Sequence, residues 1–227
     1  MGYESSELYR LLCIFFCALL PIKPSTGYHK LNVKKDAVKK IITELAEQKA
    51  SPEDVGSHFI SLIKGKHKRA EKTRLFIVRH SELLTRAIYT LHPREGFIDL
   101  IHTIIVGCAY ENIAGRIYEL EKALEIEEGK TGERVEALNY RIQYGGEEFE
   151  CDIITNSRVI ECKRGSQNTE QWRTRTANQL KRLKIALSTQ DDFKKHTLHL
   201  SVKFPHPPET MEWVAHTGAY YSNSTPG

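Results

Sequence analysis

The sequence lacks the residue spacings that build disulfide frameworks and structural zinc sites. Its 227 residues include five cysteines, an odd and scattered set with no C-x-x-C spacing. Its ten histidines show no H-x3-H spacing. A disulfide-stabilised fold and a structural zinc site are therefore not expected. The cysteines are better explained as small buried thiols in a reducing compartment.

Two common signatures of catalysis are also missing. No G-x-S-x-G motif is present, which disfavours a hydrolase with a serine on a strand-to-helix elbow. The segment "GKTGE" at residues 129–133 is too short and wrongly placed for a P-loop, because a P-loop needs a strand before it and a helix after it. The sequence therefore favours neither a serine hydrolase of this type nor a P-loop nucleotide-binding protein.

Hydrophobic runs long enough to cross a membrane are not found either. The run from Leu11 to Leu20 is too short to span a bilayer and has about the length of a signal-peptide hydrophobic region. Glu4 and Glu7 precede a lone Arg10, and no A-x-A-like site follows, which argues against export. We expect an intracellular protein, cytoplasmic or nuclear, in which this run is a buried or partner-docking helix. Secretion and membrane association are the minority alternatives.

The bulk composition indicates a globular protein. Hydrophobic residues make up 40% of the sequence and charged residues 27%, which separates the chain from disordered proteins. The formal net charge of +4 suits a polyanionic partner without requiring one.

Proline, glycine and N-cap residues divide the chain into four regions. An apolar N-terminal segment with its linker is followed by a helical region, then by a longer α/β domain, and finally by a short polar segment that we expect to be a loose tail. These regions cover residues 1–28, 29–96, 97–210 and 211–227.

Past the helical region, the apolar pattern changes to one that is typical of strands. β-branched and aromatic residues, with turn signals at Gly145-Gly146 and Asn156-Ser157, predict three antiparallel strands. These strands cover about residues 133–143, 147–155 and 158–163. A helix from Thr169 to Leu187 and a strand from Thr197 to Phe204 follow. This order indicates an α/β layered domain.

Three charged residues interrupt the otherwise apolar second and third strands. Asp152 lies on one strand, and Glu161 and Lys163 share a face of the next, because alternate side chains of a strand point the same way. The turn brings Asp152 near Glu161 if the strand register allows it. Two adjacent carboxylates repel each other unless a cation joins them, and Mg²⁺ or Mn²⁺ suits oxygen ligands. Lys163 would then stabilise charge on a phosphate or orient a water.

The opposite face of the same strands is predicted to be apolar. Its members by parity are Cys151, Ile153, Ile160 and Cys162. The competing interpretation is an ion-pair cluster on a solvated sheet face, which would have little energetic weight. Ile154 and Val159 share the charged face, however, and they are unusual on a fully wet surface.

The residues Asp152 and Glu161-Cys162-Lys163, nine positions later in a hairpin, resemble the motif of the PD-(D/E)XK nuclease superfamily. The resemblance covers residues 109–204. It implies a restriction-endonuclease-like core: a helix, a three-strand antiparallel meander, a crossover helix and a further strand. It also implies Mg²⁺ held by Asp152, Glu161, the backbone carbonyl of Cys162 and an upstream acid. Glu119 is the candidate for that acid, and Glu111 is the alternative.

The predicted crossover helix is rich in basic residues and poor in acidic ones. A cluster of this kind suits phosphate contacts, although a solvated basic face is an equally ordinary interpretation. The basic residues are Arg173, Arg175, Lys181 and Arg182. By resemblance to related nucleases, Gln179 on this helix points into the site and hydrogen-bonds a water or a phosphate.

These observations lead to the expectation of a metal-dependent nuclease that uses Mg²⁺, with Mn²⁺ as a substitute, and no small-molecule cofactor. DNA is favoured over RNA as the substrate, and a homodimer is left open. Two other functional classes remain as alternatives. One is a nucleic-acid-binding module on the same fold without turnover, and the other is a protein-interaction domain.

Overall fold

The computed structural model describes residues 31–64, 68–106, 110–164, 169–204 and 209–223, and these residues form an α/β fold. Within these described ranges, six helices precede the sheet. They are α1 (Lys35–Gln48), α2 (Pro52–Leu62), α3 (Lys68–Arg79), α4 (Ser81–Leu91), α5 (Phe97–Val106) and α6 (Tyr110–Glu128). Among the described residues, no helix combines the length and apolar character needed to cross a membrane. The run from Leu11 to Leu20 lies outside these residues.

A five-stranded mixed sheet follows the helices, with its strands in sequence order. The strands are β1 (Val135–Tyr144), β2 (Glu147–Thr155), β3 (Arg158–Lys163), β4 (Thr197–Val202) and β5 (Tyr220–Asn223). The first three are antiparallel neighbours, as the sequence predicts, whereas β4 runs parallel to β3 and β5 runs parallel to β4. Helix α7 (Glu170–Ser188) makes the crossover from β3 to β4, and α8 (Glu209–Ala215) connects β4 to β5.

Both faces of the sheet are covered. On one face, Ile153 and Ile160 belong to an apolar cluster that includes helices α1 to α6. On the other face, Ile154 and Val159 pack in a second cluster with α7 and β4. The solvated sheet face that would support a simple surface ion-pair cluster is therefore absent at the positions of Asp152 and Glu161. Both of these side chains are buried, and burial of a charged group requires partners.

The predicted alternation of faces is wrong at Cys151. This residue joins the cluster under α7, although Ile153, two residues later, joins the cluster under the other helices. The change of side coincides with Asn139, a non-glycine residue of β1 with a φ of 50°. Tyr140, the residue after it, pairs with Cys151 and packs on the α7 side, so the regular pleat is interrupted at this point.

The prediction of a loose tail over residues 211–227 is wrong for the part of it that the structure describes. Val214 of α8 and Ala219 are buried in the α7-side cluster, and β5 pairs with β4 at the edge of the sheet. The polar character of this segment suggested looseness. Its few apolar residues are nevertheless enough to hold it against the sheet, because backbone pairing with β4 satisfies its polar groups.

Glycine at position 96 connects the helical layer to the sheet. The neighbouring Glu95 carbonyl accepts a hydrogen bond of 2.9 Å from the Leu138 N–H of β1. Gly96 has a φ of 74°, and a Cβ placed on it would lie 1.6 Å from the Leu138 carbonyl oxygen. Only glycine fits this close backbone approach.

Replacing Gly96 by alanine is expected to lower the free energy of unfolding by roughly 3 kcal/mol or more, because the clash is with backbone atoms that cannot move aside. Gly132→Ala is the matched control, since Gly132 also has a positive φ, 76°, but has open space around it. Gly132→Ala should lower the free energy of unfolding by only about 1–2 kcal/mol, because alanine is strained in the left-handed backbone conformation. Urea denaturation measures both, and equal losses would contradict the role given to Gly96.

Candidate active site

The antiparallel register of β2 and β3 brings the two predicted carboxylates together. Ile154 pairs with Val159 and Ile153 with Ile160, so the next step of this register places Asp152 opposite Glu161. The Asp152 carboxylate also accepts a hydrogen bond of 2.7 Å from the backbone N–H of Cys162, the residue after Glu161. Asp152 is 7% exposed and Glu161 2% exposed. The condition on which the sequence-based site depends is met.

Glu161 is held by partners from two elements. The Lys163 ammonium forms an ion pair with its Oε1, and the Gln179 side chain of α7 donates to the same atom at 2.6 Å. The other oxygen, Oε2, is buried and has no hydrogen-bond partner among the residues that the structure describes. An unpartnered carboxylate oxygen in a protein interior is costly, so it marks a place where a ligand atom or a cation would be stabilised.

Helix α6 contributes Glu119, the candidate for the upstream acid that the resemblance implies. Glu119 is 5% exposed, and its carboxylate accepts hydrogen bonds of 2.8 and 3.1 Å from the Arg116 guanidinium one turn earlier. Glu111 also lies on α6, but its side chain is outside the described part of the chain. Glu119 is therefore the candidate acid whose side chain the structure describes, and its role stays a prediction.

Three members of the site were not predicted from the sequence. Arg116 donates to Glu119, to the Asn139 side chain of β1 at 2.7 Å, and to Glu150 of β2 at 2.6 Å, and it lies 3.7 Å from Asp152. An Arg three residues before a Glu on a helix is too common to single out. The asparagine within a strand pattern was the only available signal, since asparagine is depleted in strands.

Burial and mutual repulsion perturb the acidic groups of the site. Burial raises the pKa of Glu119 to about 7, although the Arg116 guanidinium opposes this shift. Burial, together with the Glu161 and Glu119 carboxylates, raises the pKa of Asp152 well above its usual range. Burial alone would lower the pKa of Lys163, but the carboxylates of Glu161 and Asp152 raise it. The site therefore has an excess of negative charge when all of its groups are ionised.

The donor set suits Mg²⁺ or Mn²⁺ in type. With every group ionised, the four carboxylates exceed the two cationic side chains by two charges, which is the charge of one divalent metal ion. These groups are Glu119, Glu150, Asp152, Glu161, Arg116 and Lys163. All of the acidic donors are oxygens, and the free Oε2 of Glu161 is one available ligand atom. No three Asp, Glu, His or Cys side chains of the described residues are assembled as a metal-binding group, so coordination requires side-chain movement.

The predicted basic residues of α7 fall on different sides of the helix. At about 100° per residue, Arg175 and Arg182 lie within roughly 60° of Gln179, which points into the site. Lys181 and Arg173 are about 120–160° away from it on the same basis. Arg182 additionally pairs with Glu147 and lies over the Phe149 ring at 5.2 Å. Arg175 and Arg182 therefore share the side of α7 that carries Gln179, and the described contacts of Arg182 are with Glu147 and Phe149 near the start of β2.

Comparison with known proteins adds no assignment: no protein-family model matches the chain, and no curated protein matches its sequence.

The raised pKa of Glu119 predicts how stability changes with pH in chelator-treated protein. Its ordinary value is 4.5 and its value in the fold is about 7, so the folded state holds this proton more tightly than the unfolded chain. The stabilisation is complete below about pH 4.5 and is lost as the pH rises through about 7. Glu119→Gln, which cannot ionise, should gain roughly 1–3 kcal/mol relative to wild type over this interval.

Urea denaturation in EDTA at several pH values measures this difference. Glu136→Gln, which removes a carboxylate from an exposed position of β1, controls for the change in net charge. A constant difference between wild type and Glu119→Gln at all pH values would show that Glu119 is not held protonated by the fold.

Proposed function

We propose that the protein is a metal-dependent nuclease, endonuclease-like, that hydrolyses phosphodiester bonds of DNA or, as a second choice, of RNA. The observation that carries the proposal is the buried convergence of Asp152 and Glu161 with Lys163. Glu119 and Gln179 approach the same point from the helices on either side of the sheet. The order of α6, β1 to β3, α7 and β4 supports the resemblance to the restriction-endonuclease-like fold.

Four oxygen donors would hold the metal ion. They are the carboxylates of Asp152, Glu161 and Glu119 and the backbone carbonyl of Cys162. Mg²⁺ supplies Lewis-acid stabilisation of the negative charge that develops on a phosphate, and Mn²⁺ substitutes for it.

The remaining side chains position the substrate and the carboxylates. Gln179 holds Oε1 of Glu161 and thereby fixes the orientation of that carboxylate. Lys163 brings a positive charge within reach of a phosphate next to Glu161. Arg175 and Arg182, on the same side of α7 as Gln179, would hold the nucleic-acid backbone. Arg173 and Lys181 would contact only more distant parts of a bound strand.

A nucleic-acid-binding module without turnover is the second candidate. The observation in its favour is that Arg116 and Lys163 already pair with the acidic groups, and no metal-binding set is assembled among the described residues. Such a module would bind nucleic acid with a steep salt dependence and would not cleave it in Mg²⁺ or Mn²⁺.

Asp152→Asn is expected to reduce cleavage by about 100-fold or more, because it removes one charge from the metal ligands while the amide oxygen can still accept the Cys162 N–H. Cleavage of plasmid, single-stranded DNA and structured RNA in Mg²⁺ and in Mn²⁺ measures this effect.

Asp191→Asn is the matched control, since Asp191 is an exposed aspartate in the 3₁₀ turn after α7 and should leave cleavage unchanged. If Asp152→Asn cuts at the wild-type rate, the assignment of the site is wrong. If wild type binds but never cuts, the non-catalytic candidate replaces the nuclease.

Arg175→Gln should weaken nucleic-acid binding and lower the slope of log K against log [salt] by about one. Lys181→Gln, which removes the same charge from another side of α7, should change the slope less. Fluorescence anisotropy with a labelled oligonucleotide, measured in the Asp152→Asn background, separates binding from cleavage. Equal effects of both substitutions would mean that the basic helix acts as a diffuse surface rather than through the side that carries Gln179.

A further inference from the structure

Arg116 has more partners than any other basic side chain of the site. Its guanidinium hydrogen-bonds Glu119 on its own helix, Asn139 on β1 and Glu150 on β2, and it lies 3.7 Å from Asp152. The side chain is 21% exposed, so water screens these contacts only partly. Both oxygens of Glu119 are within hydrogen-bonding distance of the same guanidinium nitrogen.

The partners of Arg116 overlap with the proposed metal ligands. Glu119 and Asp152 belong to both sets, whereas Glu150 and Asn139 belong only to the arginine. A metal ion and a guanidinium cannot both occupy all the lone pairs of the Glu119 carboxylate. Because both are positively charged, they also repel each other when they share this carboxylate. The two cations therefore compete for the same acidic groups.

Asn139 fixes the guanidinium independently of that competition. The register of β1 and β2 pairs Leu138 with Ile153 and Tyr140 with Cys151, so Asn139 lies between these pairs, level with Asp152. Its φ of 50° is a left-handed conformation that costs about 1 kcal/mol or more for a non-glycine residue. In this conformation, the side-chain amide oxygen of Asn139 accepts a hydrogen bond of 2.7 Å from the Arg116 guanidinium. Together, Asn139 and Glu150 hold Arg116 beside the acidic groups when Glu119 is released.

We propose that Arg116 is a built-in counter-ion that occupies the acidic site of the metal-free protein and sets its affinity for divalent metal ions. Metal binding displaces the guanidinium from Glu119 and Asp152, while Glu150 and Asn139 retain it. Arg116 is thus a positioning residue that makes occupancy of the site depend on the concentration of free metal. This inference rests on the proposed function in one respect, namely that the site binds a divalent metal ion.

Arg116→Gln is expected to tighten Mn²⁺ binding by roughly five- to tenfold, because it removes a like charge and frees the oxygens of Glu119. Isothermal titration calorimetry at about pH 8, where the raised pKa of Glu119 leaves that group mostly ionised, measures the affinity. Arg141→Gln is the matched control. Arg141 forms an exposed pair with Glu148 on the same hairpin, so its loss changes the net charge equally and should leave the affinity within about twofold.

The direction of the change distinguishes competition from a purely structural role. If Arg116 only supported the site, its removal would loosen the ligands and weaken Mn²⁺ binding. Unchanged or weaker binding by Arg116→Gln therefore overturns the inference. Arg116→Lys keeps a charge but cannot span the same partners, so it should bind Mn²⁺ with an affinity between those of wild type and Arg116→Gln. If a thermal melt shows that Arg116→Gln does not fold, Arg116→Lys serves as the test on its own. An Mn²⁺ affinity of Arg116→Lys equal to or weaker than that of wild type then overturns the inference.

The same titrations separate this inference from the proposed function. In one outcome, wild type binds Mn²⁺, Asp152→Asn loses this binding, and the Arg116 variants bind no more tightly than wild type. This result supports the metal site and overturns only the role of Arg116. Binding that is detected only after Arg116 is replaced supports the inference directly. Absence of Mn²⁺ binding from wild type and from every Arg116 variant overturns both.

Discussion

Burial of several carboxylates at one point is the constraint on which the rest of this site depends. An ionised carboxylate that is taken out of water without a partner costs several kcal/mol, which is a large share of the roughly 5–15 kcal/mol that stabilises a whole domain. Here the partners come from separate elements: a guanidinium from α6, a backbone N–H and an ammonium from β3, and an amide from α7. The site therefore exists only when both helical layers are packed on the sheet.

The local part of this arrangement could be predicted from the sequence, and the non-local part could not. The hairpin and the shared face of Glu161 and Lys163 follow from turn residues and from the two-residue period of a strand. The contacts of Arg116 with Asn139 and Glu150 join residues 23 and 34 positions apart, and no local pattern encodes such pairings. The left-handed backbone of Asn139 has only a weak signature, namely an asparagine inside a strand pattern.

The nuclease and the binding module differ in what balances the charge of the acidic groups. In a nuclease, a divalent ion takes up the charge that Arg116 and Lys163 leave uncompensated. In a binding module, protons on Asp152 and Glu119, whose pKa values burial raises, would serve the same purpose. Either balance would use the same set of side chains, so the competition between protons, guanidinium and metal would decide between the two candidate functions.

The apolar cluster that joins the N-terminal helices to the sheet has a consequence for how this protein can be divided. Leu45 of α1, Phe59 of α2 and Ile160 of β3 belong to one continuous core, and α6 lies between them. A fragment that began at α5 would expose the apolar side of α6, the helix that carries Glu119. The acidic centre is consequently not a portable module that could be excised or transplanted with residues 97–204 alone. Evolutionary exchange at this boundary would have to bring a replacement scaffold for α6 with it.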